Sequence, residues 1–369
     1  MIEKTKDGTD PVEVLLKESV RQLTPYQVSP ETPRIKLDAN ENNWLAGRFQ
    51  PALKELLDTL PLHQYPDTDC LALRHKLALM NQVVPGQVIT GVGSDQIIAW
   101  IVQAFVEKGD RVQMMDPTFA MYEINAQMAG AEPVKVPLGE GFTFQPDRFL
   151  EAAKISIPKV VFLTNPNNPT GGAISADDMA YMVEELSRIP CIIAVDEAYY
   201  EFHGETMAPF LNRHPRMIVL RTLSKAYGLA GVRAGYALGS EHMINALARV
   251  KPPYHMSSLD QLAALVCLEQ AEEVKPLLDS VIHWREHIRE CLLEMDTREP
   301  LEVFPSQANF LLARTPAASD LMQALKQEGI FVRGYGSEGP LADCLRVTIG
   351  TEKENRQLLD VVRNVLAKK

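Results

Sequence analysis

The stretch KVVFLTNPNNPTGGAISADDMAYMVEELSRIPCIIAVDE, residues 159–197, decides the fold. Its ends, KVVFLTN and CIIAVDE, are short apolar runs of the kind buried on both faces of a sheet. Between them, SADDMAYMVEELSRI at 175–189 carries a helical pattern and opens on a serine able to cap it. Strand, helix and strand in that order describe two parallel strands joined by a crossover.

The same alternation extends outward in both directions. QVITG at 87–91, RVQMMD at 111–116, MIVLRTLS at 217–224 and AGYALG at 234–239 read as further strands, and SDQIIAWIVQAFVEKG at 94–109 as a second serine-led helix. These runs predict an α/β fold whose large domain has a mostly parallel central sheet flanked by helices. After about residue 255 the texture changes. Long helices at roughly 258–295 precede the strand-like ANFLLA, the helix SDLMQALKQEG, then FVRG and CLRVTIG, which make a smaller α+β C-terminal domain. Residues 1–40 hold a short helix pattern, and LTPYQVSPETPRIKLDANENN, rich in Pro and Asn, runs on from it; together they read as an N-terminal arm crossing between domains. The expected division is 1–40, 41–255 and 256–369.

Composition limits what such a chain can do. A length of 369 residues with 46% hydrophobic content can bury two cores. The balance of 37 basic against 48 acidic residues, net −11, argues against a sequence-independent grip on nucleic acid or an anionic membrane, so an anionic ligand needs a local basic site. The first twenty residues lack an apolar core of signal-peptide length, and no later run is long enough to cross a bilayer. Cys70, Cys191, Cys267, Cys291 and Cys344 are odd in number and include no Cys-x-x-Cys pair. They read as structural thiols of a cytoplasmic protein, with no metal site.

Several motifs sit where strands end. GVGSDQ at 91–96 fails the G-x-G-x-x-G pattern because Gln96 occupies the third glycine position. What survives is a glycine turn into a helix N-terminus, a phosphate seat on one reading and a plain βα turn on the other. SIPK at 156–159 matches Ser-x-x-Lys but runs into a strand through a proline, so no nucleophilic serine is read there. TNPNNPTGG at 164–172 is either a Pro/Asn loop or a ligand-binding edge of an open α/β sheet. In VDEAYYEF, Asp196 could cap a helix and Tyr199 could be a core phenol. In RTLSKAYGLAGVRAGY, 221–236, Lys225 stands between a serine and an apolar run, with Arg233 eight residues on. A ring with a protonated nitrogen, a phenolate oxygen, an aldehyde and a phosphate asks for a carboxylate, a phenol, a lysine and a basic seat. Asp196, Tyr199, Lys225 and Arg233 are that set, all at sheet-edge positions of one chain.

The segments LTPYQ, LDANEN, QYPD, GVGSDQII, DPTFAMY, NPNNPTG, VDEAYYEF, RTLSKAYGLAGVRAGY, PSQANFLL and CLRVTIGT, in this order over nearly the whole chain, carry a family resemblance. The sequence resembles the pyridoxal-phosphate-dependent aminotransferases of the aspartate-aminotransferase-like fold group, and among them the histidinol-phosphate aminotransferases. The resemblance implies that Lys225 carries the cofactor aldehyde as a Schiff base and shuttles a proton. It implies that Asp196 pairs with the pyridine nitrogen, that Tyr199 and Asn168 bond the ring hydroxyl oxygen, and that Phe119 stacks on the ring. The backbone at Ser94 and Asp95 would join Thr222, Ser224 and Arg233 in holding the phosphate. Tyr65 would reach the phosphate from the neighbouring subunit of a homodimer with shared active sites. Arg346 would grip a substrate carboxylate or phosphate, and Arg333 and Tyr26 the substrate phosphate.

The sequence departs from the family in having Phe119 where tyrosine is commoner and Gln96 where glutamate is, and GYGSEGPLAD at 334–343 differs from the polar stretch the family has there. The implied reaction moves an amino group between L-histidinol phosphate and 2-oxoglutarate or glutamate, within histidine biosynthesis. An aromatic amino-acid aminotransferase and a decarboxylase of an amino-acid phosphate share this scaffold. A cofactor-binding sensor module is disfavoured, because the forty or so residues before the large domain hold no helix-turn-helix pattern.

Overall fold

The computed structural model describes residues 11–25 and 31–368, so Tyr26 lies outside the described residues. Seven strands build the main sheet: β1 (Val88–Val92), β2 (Arg111–Asp116), β3 (Glu132–Pro137), β4 (Val160–Thr164), β5 (Ile192–Asp196), β6 (Met217–Thr222) and β7 (Ala234–Gly239). Their order across the sheet is β1-β7-β6-β5-β4-β2-β3. Every neighbouring pair is parallel except those made by β7, which is antiparallel to both β1 and β6.

The central strands are buried along their length, β4 and β6 at every residue, which is why their sequences are apolar runs without alternation. β3 was not anticipated. Its sequence EPVKVP holds two prolines, which lack the N–H a central strand must donate, and the chain resolves this by placing it at the edge of the sheet.

Helices α1 (Gly93–Phe105) and α2 (Ala176–Leu186) cover the sheet. The hydroxyl of Ser175 accepts from the Asp178 N–H at 3.1 Å, the expected cap of α2. Ser94 does not cap α1. The helix begins one residue earlier, at Gly93, whose φ of +74° turns the chain straight out of β1 and leaves Ser94 inside the first turn.

The long helical region divides at Gln270 into α3 (Ser258–Glu269) and α4 (Ala271–Leu293). Beyond it come β8 (Glu302–Val303), β9 (Phe310–Arg314), α5 (Ala318–Gln327), β10 (Arg333–Gly334), β11 (Cys344–Thr348) and α6 (Glu352–Leu366). The second sheet, ordered β10-β11-β9-β8, is antiparallel throughout. Leu321, Leu325, Leu345, Leu358 and Val362 pack together between it and α5 and α6, and Ile35 and Leu37 join the same core.

Residues Ile35–Lys36 also pair in parallel with Ile330–Phe331. The chain is therefore pinned to the C-terminal part just before it passes the edge of the main sheet. No helix among the described residues is long and apolar enough to cross a membrane.

Candidate active site

The carboxyl ends of β4, β5 and β6, the N-terminus of α1 and the residue before β7 converge on one cavity of about 620 Å³. At one end of it Ser94 and Asp95 lie in the first turn of α1, where backbone N–H groups have no partner within the helix. Thr222 closes β6, and its hydroxyl donates to Ser224 Oγ at 2.9 Å. Arg233 enters from the other side, donating from Nη2 to Asp95 Oδ2 at 3.1 Å and lying 3.5 Å from Ser224 Oγ through Nη1. A Cβ at Gly93 would stand 2.6 Å from Arg233 Nη2 and push the guanidinium aside, and the φ of +74° favours glycine there. Backbone N–H groups, hydroxyls and a guanidinium around one hollow form an anion seat.

Asp196, the last residue of β5, is buried and lines the middle of the cavity. Its Oδ2 accepts from Tyr122 Oη at 2.7 Å and its Oδ1 from the Ala198 N–H at 3.0 Å, both neutral donors. Burial pushes the carboxyl up to about 6, against the pull of those two bonds. A buried carboxylate facing an opening with no cation bonded to it is a seat for a positive ring nitrogen.

Tyr199 is buried edge-on to Phe310, its hydroxyl accepts from Asn40 Nδ2 at 2.9 Å, and burial raises its phenol to about 12, so it can donate at neutral pH. Phe119 lines the cavity and meets Tyr122 in an edge-to-face contact. Lys225, three residues beyond the end of β6, donates from Nζ to the Ala39 carbonyl at 2.9 Å. Burial, then the charge of Arg346, lowers its amine to about 8. That is the state of a nucleophile.

Asn168 and Arg346 meet directly, Oδ1 accepting from Nη1 at 2.5 Å, and Arg346 Nη2 reaches the Asp38 carbonyl at 2.7 Å. Arg346 thus stands at the rim of the cavity beside Asn168. Arg333 is its cross-strand partner in the β10–β11 pair; it is exposed and does not line the cavity. Tyr65 is also outside it, 81% exposed and stacked on Tyr254 at 4.5 Å.

Sequence reasoning assigned no role to Tyr122, although an aromatic three residues after Phe119 in DPTFAMY was the available signal. It also missed the buried ion pair of Glu197 and Arg221, at 2.8 Å and each 2% exposed, which ties the ends of β5 and β6 together directly beside Asp196 and Thr222. Two charged residues inside otherwise apolar strand ends were its only trace. LDANEN, taken as part of a crossing arm, proves to be a wall of the site.

Residues 32–362 match the profile described as "Aminotransferase class I and II". The chain is 37% identical to a histidinol-phosphate aminotransferase of Ruminiclostridium cellulolyticum, over 95% of this chain and 97% of the relative. It is 38% identical to one of Caldanaerobacter subterraneus subsp. tengcongensis, over 96% and 100%. Its fold matches the crystal structure of histidinol-phosphate aminotransferase from Sinorhizobium meliloti in complex with pyridoxal-5'-phosphate, with a TM-score of 0.82, 23% identity and coverage of 95% and 98%. It also matches L-threonine-O-3-phosphate decarboxylase from Porphyromonas gingivalis, with a TM-score of 0.77, 21% identity and coverage of 89% and 98%. The fold alone therefore does not separate amino transfer from decarboxylation. The anion seat, the buried carboxylate with no ion-pair partner among the described residues and the lysine of lowered basicity fit the phosphate, ring nitrogen and aldehyde of pyridoxal phosphate.

Proposed function

We propose that this chain, which belongs to the class I and II aminotransferases, moves an amino group reversibly between L-histidinol phosphate and 2-oxoglutarate. It is an enzyme, and its cofactor is pyridoxal phosphate. The observation that carries the reading is the single cavity in which Asp196, Lys225 and the α1 anion seat face one another. The curated relatives at 37 and 38% identity support the choice of substrate.

Bound there, the cofactor supplies an aldehyde and an electron-withdrawing ring that stabilises a substrate carbanion. The chain's own residues do the rest. Lys225 Nζ would take the proton from the substrate α-carbon and return it two atoms away, across the nitrogen, at the carbon that was the cofactor's aldehyde. Asp196 holds positive charge at the ring nitrogen; the Tyr122 bond and the β5 strand keep its carboxylate pointed at the cavity. Tyr199 and Asn168 would hydrogen-bond the ring oxygen, Phe119 would cover one ring face, and the backbone N–H groups of Ser94 and Asp95 with Thr222, Ser224 and Arg233 would hold the phosphate. We read 41–255 as the cofactor-binding domain, 256–369 as the small domain and 1–40 as an arm. The five free cysteines fit work in a reducing cytoplasm.

At the substrate end, Arg346 and Arg333 occupy directly opposed positions of an antiparallel pair, which puts two guanidinium groups on one face where a single anion can engage both. Arg346 serves both substrates; Arg333 and Tyr26 favour the one bearing phosphate. Charge-assisted hydrogen bonds of this kind contribute roughly 1.5 to 3 kcal/mol each. Arg333→Ala should therefore lower kcat/KM for histidinol phosphate about ten- to a hundred-fold, and less for phenylalanine. The panel that tests the reading follows cofactor absorbance as histidinol phosphate, phenylalanine, glutamate and threonine phosphate are added in turn. Faster turnover of phenylalanine, with Arg333→Ala affecting all substrates alike, would replace it with an aromatic aminotransferase.

The enzyme works as a homodimer in which Tyr65 completes the partner's phosphate site. Supporting this, Tyr65 is exposed on its own chain and held by stacking on Tyr254, away from its own cavity. If so, inactive Tyr65→Phe and Lys225→Ala chains should regain activity when mixed, since one hybrid site recovers both groups. Confirmed heterodimers of two inactive parents that stay inactive would place Tyr65 elsewhere.

A further inference from the structure

Residues 38–42 run along the cavity wall, and nearly all of them are committed to a site residue. The Asp38 carbonyl accepts from Arg346 at 2.7 Å and the Ala39 carbonyl from Lys225 at 2.9 Å. Asn40 Nδ2 donates to Tyr199 Oη and Asn42 Nδ2 to the Ala226 carbonyl, both at 2.9 Å. Asn40 has a φ of 56°, a left-handed turn that asparagine tolerates. Glu41 lines the cavity too, but its ion-pair partner, Lys36 at 2.9 Å, does not.

Three carboxylates line this cavity: Asp95, bonded to Arg233, Asp196, bonded to Tyr122 and the Ala198 N–H, and Glu41. Lys36 engages Glu41 Oε2, and a carboxylate has about four acceptor positions, so Glu41 keeps capacity toward the cavity. Its charge is felt at Lys225, where it acts to raise the amine's basicity. With the Ala39 carbonyl two residues away holding Lys225, Glu41 stands on the cavity wall near the reacting centre.

We propose that Glu41 accepts the imidazole N–H of the amino donor and so sets the cavity's preference between its two substrates. The inference rests on the proposed histidinol-phosphate reading. An imidazole carries at least one N–H donor in each of its neutral and protonated forms, and a carboxylate is the strongest acceptor a side chain can offer it. Glutamate has no such donor and brings a second negative charge toward Glu41. The same carboxylate thus favours one half-reaction and opposes the other.

Single-turnover half-reactions of the holoenzyme separate the dissociation constant from the chemical rate constant. Glu41→Gln should weaken histidinol phosphate binding about ten-fold, the lower end for a charge-assisted bond because the Glu41 side chain is 32% exposed. The chemical rate constant should change by the same factor for both substrates, because any effect through Lys225 is common to them. Glutamate binding should tighten about two- to five-fold as a like charge is removed. O-Phosphoethanolamine, which has an amine and a phosphate but no ring, should compete equally well with both proteins. Equal losses for histidinol phosphate and glutamate would place Glu41 with the machinery common to both and overturn the proposal, as would no change in either. If the wild-type holoenzyme fails to react with histidinol phosphate at all, the substrate reading itself fails and the Glu41 assignment goes with it. An uncharged Glu41→Ala chain showing the same opposed shifts would exclude a folding artefact of the glutamine.

Discussion

Lys225→Ala should fold and hold the cofactor by its phosphate, yet lose essentially all amino transfer, by more than about a thousand-fold. Lys225 is the lysine that lines the cavity, and its removal deletes both the nucleophile and the group that moves the proton. Borohydride reduction followed by peptide mass spectrometry should find the cofactor bonded to Lys225 in the wild-type chain and nowhere in the variant. A covalent adduct at another lysine overturns the assignment.

The environment of this amine also predicts a pH dependence. Only a neutral amine attacks an aldehyde, and burial together with Arg346 brings Lys225 down to about 8 from the usual 10.5. The neutral fraction then rises as pH climbs through about 8. Uptake of pyridoxal phosphate by cofactor-free protein should accelerate over that range and level off above it. Acceleration that continues to the ordinary lysine range would mean that the cavity leaves the amine unperturbed.

Asp196→Asn carries the second large effect. The amide keeps the shape and can still accept from Tyr122, so the chain should fold, but it cannot hold a positive charge at the ring nitrogen. Loss of a preorganised electrostatic contact of this kind is worth roughly 3 to 4 kcal/mol, or about a hundred- to a thousand-fold in the rate of α-proton removal. Wild-type turnover in the variant would make the carboxylate structural only.

Stability should move the other way. The folded carboxyl titrates at about 6, above its usual 3.8, so between those values the native state binds more protons than the unfolded one. Cofactor-free wild-type protein therefore loses stability as pH rises from about 4 to 6, and Asp196→Asn does not share that loss. Above about pH 6 the cofactor-free variant should melt at a higher temperature than the wild type. A variant that melts lower would show that the aspartate stabilises the empty fold, contrary to its burial among neutral partners.

Much of this architecture was legible in the sequence because the relevant signals are local. The strands at 111–116 and 234–239 stand where their apolar runs placed them, and Ser175 caps its helix through a neighbour three residues away. The edge strand Glu132–Pro137 was hidden because proline argues against a strand, and only its place in the sheet excuses it. The Ser94 expectation failed for a comparable reason: Gly93, whose φ of +74° glycine adopts readily, starts the helix and leaves Ser94 inside its first turn.

The sequence by itself determined the α/β class, the strands that end at Asp196 and Thr222, the loop that bears Asn168, and the residue types that a phosphorylated aldehyde ring demands. Only the tertiary structure decided that Tyr122 and not a cation supports Asp196, that Asn168 is bonded to Arg346, and that the Ala39 carbonyl orients Lys225. The physical reason is the distance along the chain. Helical and strand periodicity and capping depend on residues a few positions apart, which any window of sequence contains. The bonds from Asn40 to Tyr199, from Lys225 to Ala39 and from Arg346 to Asp38 span 159, 186 and 308 positions, and exist only because two sheets and the segment between them pack against one another.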